Sequence, residues 1–161
     1  MMPGTYTQLY VHIVFAVQHR NALIDKSWEE RLYQYITAIV QNKGQKMIAV
    51  NGMPDHIHLF VGLKPNYNVS DLVREIKKAS NDFINEKKLT KAKFKWQEGY
   101  GAFSYSQSQI ATVANYVINQ KNHHEKKSFE MEYRQLLESF RIEYKNEYLF
   151  DWIDPSNEAN L

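Results

Sequence analysis

The chain contains no cysteine, which excludes a disulfide scaffold, a thiol nucleophile and any Cys-ligated zinc or iron–sulfur site. It also lacks any apolar run near the ~20 residues that a membrane-spanning helix needs. Met1-Met2-Pro3-Gly4 supplies neither a basic n-region nor an apolar h-region, so no secretory signal is expected and the expected location is the cytoplasm. An internal repeat, a low-complexity tract and a Pro/Gly linker are missing as well. One domain over residues 1–161 is therefore expected, with a core of about 5–122 and a helical, aromatic tail of about 123–161. Apolar material is ample: 43% of the residues are hydrophobic, enough to bury a core.

The formal net charge of +2 hides an uneven distribution. Residues 1–127 carry 17 basic and 10 acidic side chains, whereas residues 128–161 carry 3 and 8. Seven lysines fall at positions 77, 78, 87, 88, 91, 93 and 95. Such a cluster can neutralise phosphates, and it reads equally well as a solvated helix end and loop. Lys77, Lys78, Lys87 and Lys88 are the candidate contacts to a nucleic-acid backbone. The acidic tail argues against indiscriminate binding over the whole surface.

Tyr6 to Val17 is β-branched and aromatic without a helix breaker and reads as a long first strand. Ser27-Trp28-Glu29-Glu30 has the form of a capping box, and Trp28, Leu32, Tyr35, Ile36, Ile39 and Val40 follow on one helical face up to Gly44. Lys46 to Asn51 and His56 to Leu63 read as strands around a Gly52-Met53-Pro54-Asp55 turn. Asn68 with Asp71 opens a second helix whose face is Val69, Leu72, Val73, Ile76, Phe83 and Ile84. Trp96 to Tyr105 leads through Gly99 and Gly101 into a fourth strand. Ser106 or Ser108 then caps a third helix running to about Gln120. Phe129 to Phe140 is expected to be helical, with the aromatic segment Tyr148 to Trp152 docking behind it. The order β-α-β-β-α-β followed by helices implies an α+β, ferredoxin-like (split βαβ) fold. In it a four-stranded antiparallel sheet carries two helices on one face, and the other face stays open unless the added helices or a partner cover it. Such a fold hosts many functions, so the chemistry must come from side chains.

The alternation of a strand puts His56, His58 and Phe60 on one face and Ile57, Leu59 and Val61 on the other. The aliphatic set suits the helix-packed face, which leaves both imidazoles on the open face, close enough to share one metal ion. A His-x-His pair is weak evidence alone. On the third helix, Tyr116 and Gln120 lie one turn apart, off the apolar seam of Ile110, Val113 and Val117. Beside two histidines, the Gln120 carbonyl can complete a metal site and the Tyr116 phenol becomes an available nucleophile. With a pKa near 10, that phenol needs help from a cation or a base at neutral pH.

Three segments together resemble the single-tyrosine, His-hydrophobic-His (HUH) transposases of small bacterial insertion sequences, in the REP-associated tyrosine transposase-like superfamily. They are Met53-Pro54-Asp55-His56-Ile57-His58-Leu59, Trp96 to Ser104, and Val113-Ala114-Asn115-Tyr116-Val117-Ile118-Asn119-Gln120. His123-His124 and the tail from Phe129 through Glu132-Tyr133 to Phe150 are similar to the family's shorter members, so the likeness spans nearly the whole chain.

The resemblance implies that His56 and His58 bind a divalent cation, Mg²⁺ or Mn²⁺, and that Gln120 is the third protein ligand. It implies that Tyr116 attacks a DNA phosphodiester to give a 5′-phosphotyrosine and a free 3′-OH, a step later reversed by an attacking 3′-OH. Single-stranded DNA bearing hairpins at element ends is the implied partner, and a homodimer, often with exchanged tyrosine helices, the implied assembly in a bacterial cytoplasm. The segment Gln18-His19-Arg20 lacks the Lys that many relatives carry before the Arg, which leaves the phosphate contacts of Arg20 open. Two imidazoles and an amide suit Mn²⁺, Zn²⁺ or Ni²⁺ at least as well as Mg²⁺.

Asp55 is a candidate to orient a histidine from behind, although the turn explains it equally well. His12 reads as a packed strand histidine near the site, and His123 and His124 read as helix-end caps that could also touch metal or phosphate. Tyr100, Phe103 and Tyr105 can stack on unpaired bases, though core packing suits at least one of them. Two rival functions stand beside the transposase. One is a non-cleaving module that binds single-stranded nucleic acid, a domesticated descendant. The other is a metal-dependent phosphodiesterase that uses water and leaves Tyr116 as packing.

Overall fold

The computed structural model describes residues 3–153, so the end of the expected tail, 154–161, lies outside the described residues. Strands β1 (Leu9–Ala16), β2 (Lys46–Met53), β3 (His56–Leu63) and β4 (Gly101–Tyr105) form one sheet in the order β2-β3-β1-β4. Each neighbouring pair is antiparallel. Helices α1 (Glu29–Asn42) and α2 (Val69–Glu86) are the two crossovers, and α3 (Ile110–Ile118), α4 (Gln120–His123) and α5 (Phe129–Ser139) follow the last strand. This is the ferredoxin-like α+β core with added C-terminal helices. No helix among the described residues is long and apolar enough to cross a membrane.

Strand alternation divides the sheet as the residue pattern predicts. Ile13, Phe15, Ile57, Leu59 and Val61 are fully buried, as are Leu32, Ile36 and Val40 of α1 and Leu72, Ile76 and Ile84 of α2. Across α1 and α2, Tyr35 and Phe83 stack with ring centroids 4.3 Å apart. On the opposite face, Ala49 and Phe60 meet Val113 and Val117, which seats α3 on the sheet of its own chain. Asn51 holds it there by donating from Nδ2 to the Ile118 carbonyl at 2.6 Å. The rest of that face is covered by α5. Its Phe129 ring lies flat on His56, 3.8 Å between centroids, and Phe140 sits 5.0 Å from Phe103. Buried Phe150 packs behind α5, 4.9 Å from Tyr133.

Three local expectations differ. The first strand is shorter than Tyr6–Val17: Tyr6 is exposed, and Val17 makes only an isolated bridge to Trp96. Ser27 does not cap α1. Asp25 dominates that turn, its carboxylate accepting the Ser27 amide at 2.9 Å and its carbonyl the Glu29 amide at 3.0 Å, so the helix begins after Trp28. The third helix does not run unbroken to Gln120. It ends at Asn119, where ψ is 17°, and Gln120 opens α4. Asn68 does cap α2, accepting the Asp71 amide at 2.8 Å, and the Ser106 amide is held by Gln109 Oε1 at 3.1 Å ahead of α3.

A candidate metal and tyrosine centre on the covered sheet face

His56 and His58 project from β3 on the α3/α5 side, and both are fully buried. Each ring has its Nδ1 engaged from behind. Asp55, itself buried, places Oδ1 2.7 Å from His56 Nδ1. His12 of β1, which pairs with Phe60 two residues from His58 and so shares its face of the sheet, places Nε2 2.7 Å from His58 Nδ1. An Nδ1–H that donates backwards leaves the Nε2 lone pair facing forwards, which is how metal-bound imidazoles are held. His56 Nε2 accordingly has no hydrogen-bond partner among the described residues although it is buried.

The forward nitrogens converge on Glu132 of α5, a residue of the family-like tail to which the sequence reading gave no role. Its Oε1 lies 3.0 Å from His58 Nε2, 3.5 Å from His56 Nε2 and 3.0 Å from His124 Nε2. Its Oε2 accepts the Tyr116 hydroxyl and, at 3.2 Å, the Gln120 side-chain amide, with His123 Nε2 at 3.3 Å. The structure thus brings Tyr116, His56, His58, Gln120 and Asp55 together, and adds Glu132, His124, His123 and His12. One signal for Glu132 was in the sequence: it is a lone carboxylate inside the apolar face formed by Phe129, Tyr133, Leu136 and Leu137.

His56, His58, His124 and Glu132 offer ligand atoms that all lie within 4.8 Å of one another, so the cluster can hold a divalent cation. Gln120 is fully buried, and its Oε1 has no partner among the described residues, so this amide offers an acceptor at the same place. The electrostatics agree with a cation-seeking site. Burial would keep the Glu132 carboxyl neutral, but the surrounding imidazoles, His58 foremost, hold it far below the usual carboxylate range. Burial also opposes protonation of His56, yet the Asp55 and Glu132 carboxylates outweigh it and raise its pKa to about 9. For His58 burial wins, and its pKa falls to about 4 against the pull of Glu132. Burial, reinforced by Glu132, pushes the Tyr116 phenol well above 10. A groove lined by Thr112, Tyr116, His123, Glu132 and Gln135 opens onto that phenol.

The candidate DNA-contacting cations lie elsewhere. Lys77, Lys78 and the C-cap Lys87 belong to α2, on the far layer of the sheet, with Lys88 just beyond it. Lys77 is committed to structure, donating to the Gln97 carbonyl at 2.9 Å and the Gly99 carbonyl at 2.6 Å. Arg20 is exposed and shares a shallow surface depression with Leu89, Thr90 and Lys91. Of the aromatic candidates, Phe103 is buried, whereas Tyr105 and Tyr100 are partly exposed.

Paired strand histidines, a carboxylate among them and a tyrosine on the facing helix are the equipment of metal-assisted phosphotyrosine chemistry. The chain belongs to the family "Transposase IS200 like", whose model matches residues 5–120. It is 25% identical over 122 residues to the ISDra2 transposase TnpA of Deinococcus radiodurans, covering 73% of this chain and 87% of the relative. The fold is shared with two solved structures. One is described as a transposase from Deinococcus radiodurans R1 (TM-score 0.60, 23% identity, 74% of this chain and 96% of that one). The other is a REP-associated tyrosine transposase bound to a REP hairpin (TM-score 0.56, 16% identity, 77% of this chain and 73% of that one).

Proposed function

We propose that this protein is a divalent-cation-dependent transposase that cleaves and rejoins single-stranded DNA through a 5′-phosphotyrosine on Tyr116. The observation that carries the reading is the meeting of Tyr116 with His56 and His58 across one buried carboxylate, all from a single chain. His56 and His58 hold the cation, with Gln120 beside them as the amide ligand. A bound Mg²⁺ or Mn²⁺ would supply Lewis-acid polarisation of a non-bridging oxygen of the scissile phosphate and so stabilise charge developing in the transition state. Tyr116 Oη attacks phosphorus, the 3′-oxygen leaves, and the phosphodiester's bond energy is kept in the tyrosyl ester, so no nucleotide cofactor is needed. Glu132 accepts the Tyr116 hydroxyl and is the group in place to take its proton as the new bond forms. His12 and Asp55 fix the two imidazoles from behind.

The proposed substrate is hairpin-bearing single-stranded DNA in a bacterial cytoplasm, a class supported by the relative bound to a REP hairpin. In the homodimer expected of the family, each protomer would carry a complete site, because α3 seats on its own sheet. The test is incubation of the protein with end-labelled single-stranded DNA and Mn²⁺ or Mg²⁺, followed by a denaturing gel. Wild type yields a denaturant-resistant protein–DNA adduct. Tyr116→Phe yields none, and His58→Ala loses cleavage while still binding DNA. Binding without an adduct in wild type would leave the non-cleaving module, and cleavage retained by Tyr116→Phe would leave the water-using phosphodiesterase.

A further inference from the structure

The family model ends at residue 120, yet the cluster around the paired histidines does not. Two of its members, His124 and Glu132, come from the C-terminal segment. Without a cation their arrangement is chemically awkward. One carboxylate oxygen has about two lone-pair sites, but three imidazole Nε2 atoms crowd Glu132 Oε1 at 3.0, 3.0 and 3.5 Å. One of these, His56 Nε2, is buried and has no hydrogen bond among the described residues. Its Nδ1 is already taken by Asp55, so Nε2 is the one ring atom left to face the carboxylate.

A cation resolves this arrangement. Bonds of about 2.1 Å in a tetrahedral site put neighbouring ligand atoms about 3.4 Å apart. The separations of 3.0, 3.0 and 3.5 Å from Glu132 Oε1 straddle that spacing. The carboxylate also supplies the negative charge that two imidazoles and an amide lack.

The geometry points to His124 and Glu132 as two further protein ligands, which close a four-ligand site with His56 and His58 in the DNA-free protein, a state in which the Gln120 amide stays on Glu132 and off the cation. This rests on the metal role proposed above for His56 and His58 and deepens it. Glu132 then bridges: Oε1 faces the cation, while Oε2 stays on the Tyr116 hydroxyl and the Gln120 amide. Three imidazoles and one carboxylate favour Mn²⁺, Co²⁺ or Zn²⁺ over Mg²⁺, which keeps oxygen ligands and water. The ion would also tie α5, through Glu132, and the turn after α4, through His124, to strand β3.

Co²⁺ added to the chelator-stripped full chain tests this, because four-coordinate Co²⁺ absorbs visible light strongly and six-coordinate Co²⁺ weakly. Wild type is expected to show the intense band. Glu132→Gln and His124→Ala, confirmed folded by circular dichroism, are expected to lose it and to bind Co²⁺ at least about 10-fold more weakly. Zn²⁺ is expected to protect α5 from limited proteolysis in wild type, a readout that needs no variant to fold. A weak band in wild type, an undiminished band in both variants, or no protection of α5 overturns the inference. A His56→Ala variant separates the two readings. If it binds Co²⁺ as tightly as wild type, the metal role of the paired histidines itself fails. If it loses binding while Glu132→Gln and His124→Ala keep it, that role stands and only the four-ligand closure is lost.

Discussion

At the scale of single residues, the site depends on what stands behind its histidines. Asp55 and His12 do the same work on neighbouring rings, each 2.7 Å from an Nδ1. Asp55→Asn keeps an acceptor but removes the charge that raises the basicity of His56. It is expected to weaken Mn²⁺ binding by about 10–100-fold, read by calorimetry, with single-stranded DNA affinity unchanged. The strand residues of the site were legible because a period of two places them without ambiguity. Asp55 and Gln120 were legible through their spacing from His56 and Tyr116. The role of Glu132 was not, although the residue stands in the family-like tail as a lone carboxylate on an apolar face, because it lies 74 positions from His58 and joins it only when α5 folds back over the sheet. His12 read as packing, and it is packed: it is fully buried and at the same time hydrogen-bonded to His58. His124 read as a helix-end cap, and it is the C-cap of α4, its side chain at the same time 3.0 Å from Glu132.

At the scale of elements, the sheet and its crossover helices followed from apolar periodicity, which records how each segment meets a large flat core. Less of the C-terminal docking was written there, since an amphipathic helix such as α5 shows which side is buried and not against what. The seat is shaped by Gly101 of β4. A Cβ at that position would stand 2.7 Å from the Tyr133 hydroxyl and 3.0 Å from the Phe103 ring. Gly101→Ala must therefore push aside the buried Tyr133 ring of α5, at a cost of about 1–3 kcal/mol. Because Glu132 precedes Tyr133 in α5, any movement of the helix that accompanies the ring's shift is expected to draw the carboxylate off His58. Chemical denaturation is expected to report the lost stability, and Mn²⁺ titration an accompanying loss of affinity. Equal affinity in the variant would mean that α5 moves independently of the metal cluster. Lys77 carries the same lesson for charge clusters, since seven lysines in a row of nineteen residues look like a phosphate-binding surface. One of them is instead a strut under the Gln97–Gly99 turn.

At the scale of the whole molecule, the buried imidazoles make folding stability depend on pH in a definite shape. For His58, burial lowers the folded pKa from 6.5 to about 4. Between those values the unfolded chain binds a proton that the native state refuses, so stability falls as pH drops through that window. His12 adds to this, its pKa also driven well below 6.5 by burial and by His58. His56 has the opposite sign: despite burial, Asp55 and Glu132 raise its folded pKa to about 9. Its contribution is complete below 6.5 and is lost as pH rises towards 9. Glu132 keeps its contribution until pH falls below the ordinary carboxylate value of 4.5. Lys77, lowered by burial to about 8, works against His56 only above that pH, where the unfolded chain holds the extra proton. The metal-free protein is therefore expected to be most stable near pH 6.5, with melting temperature declining towards pH 4 on one side and towards pH 8 on the other. Thermal melts in chelator across that range give the curve. Replacing His12 and His58 together by Leu is expected to flatten the acid limb alone, since His56 with Asp55 remains to shape the alkaline one. A melting temperature that rises steadily from pH 5 to pH 8 would mean that the imidazoles are not held in these protonation states by the fold.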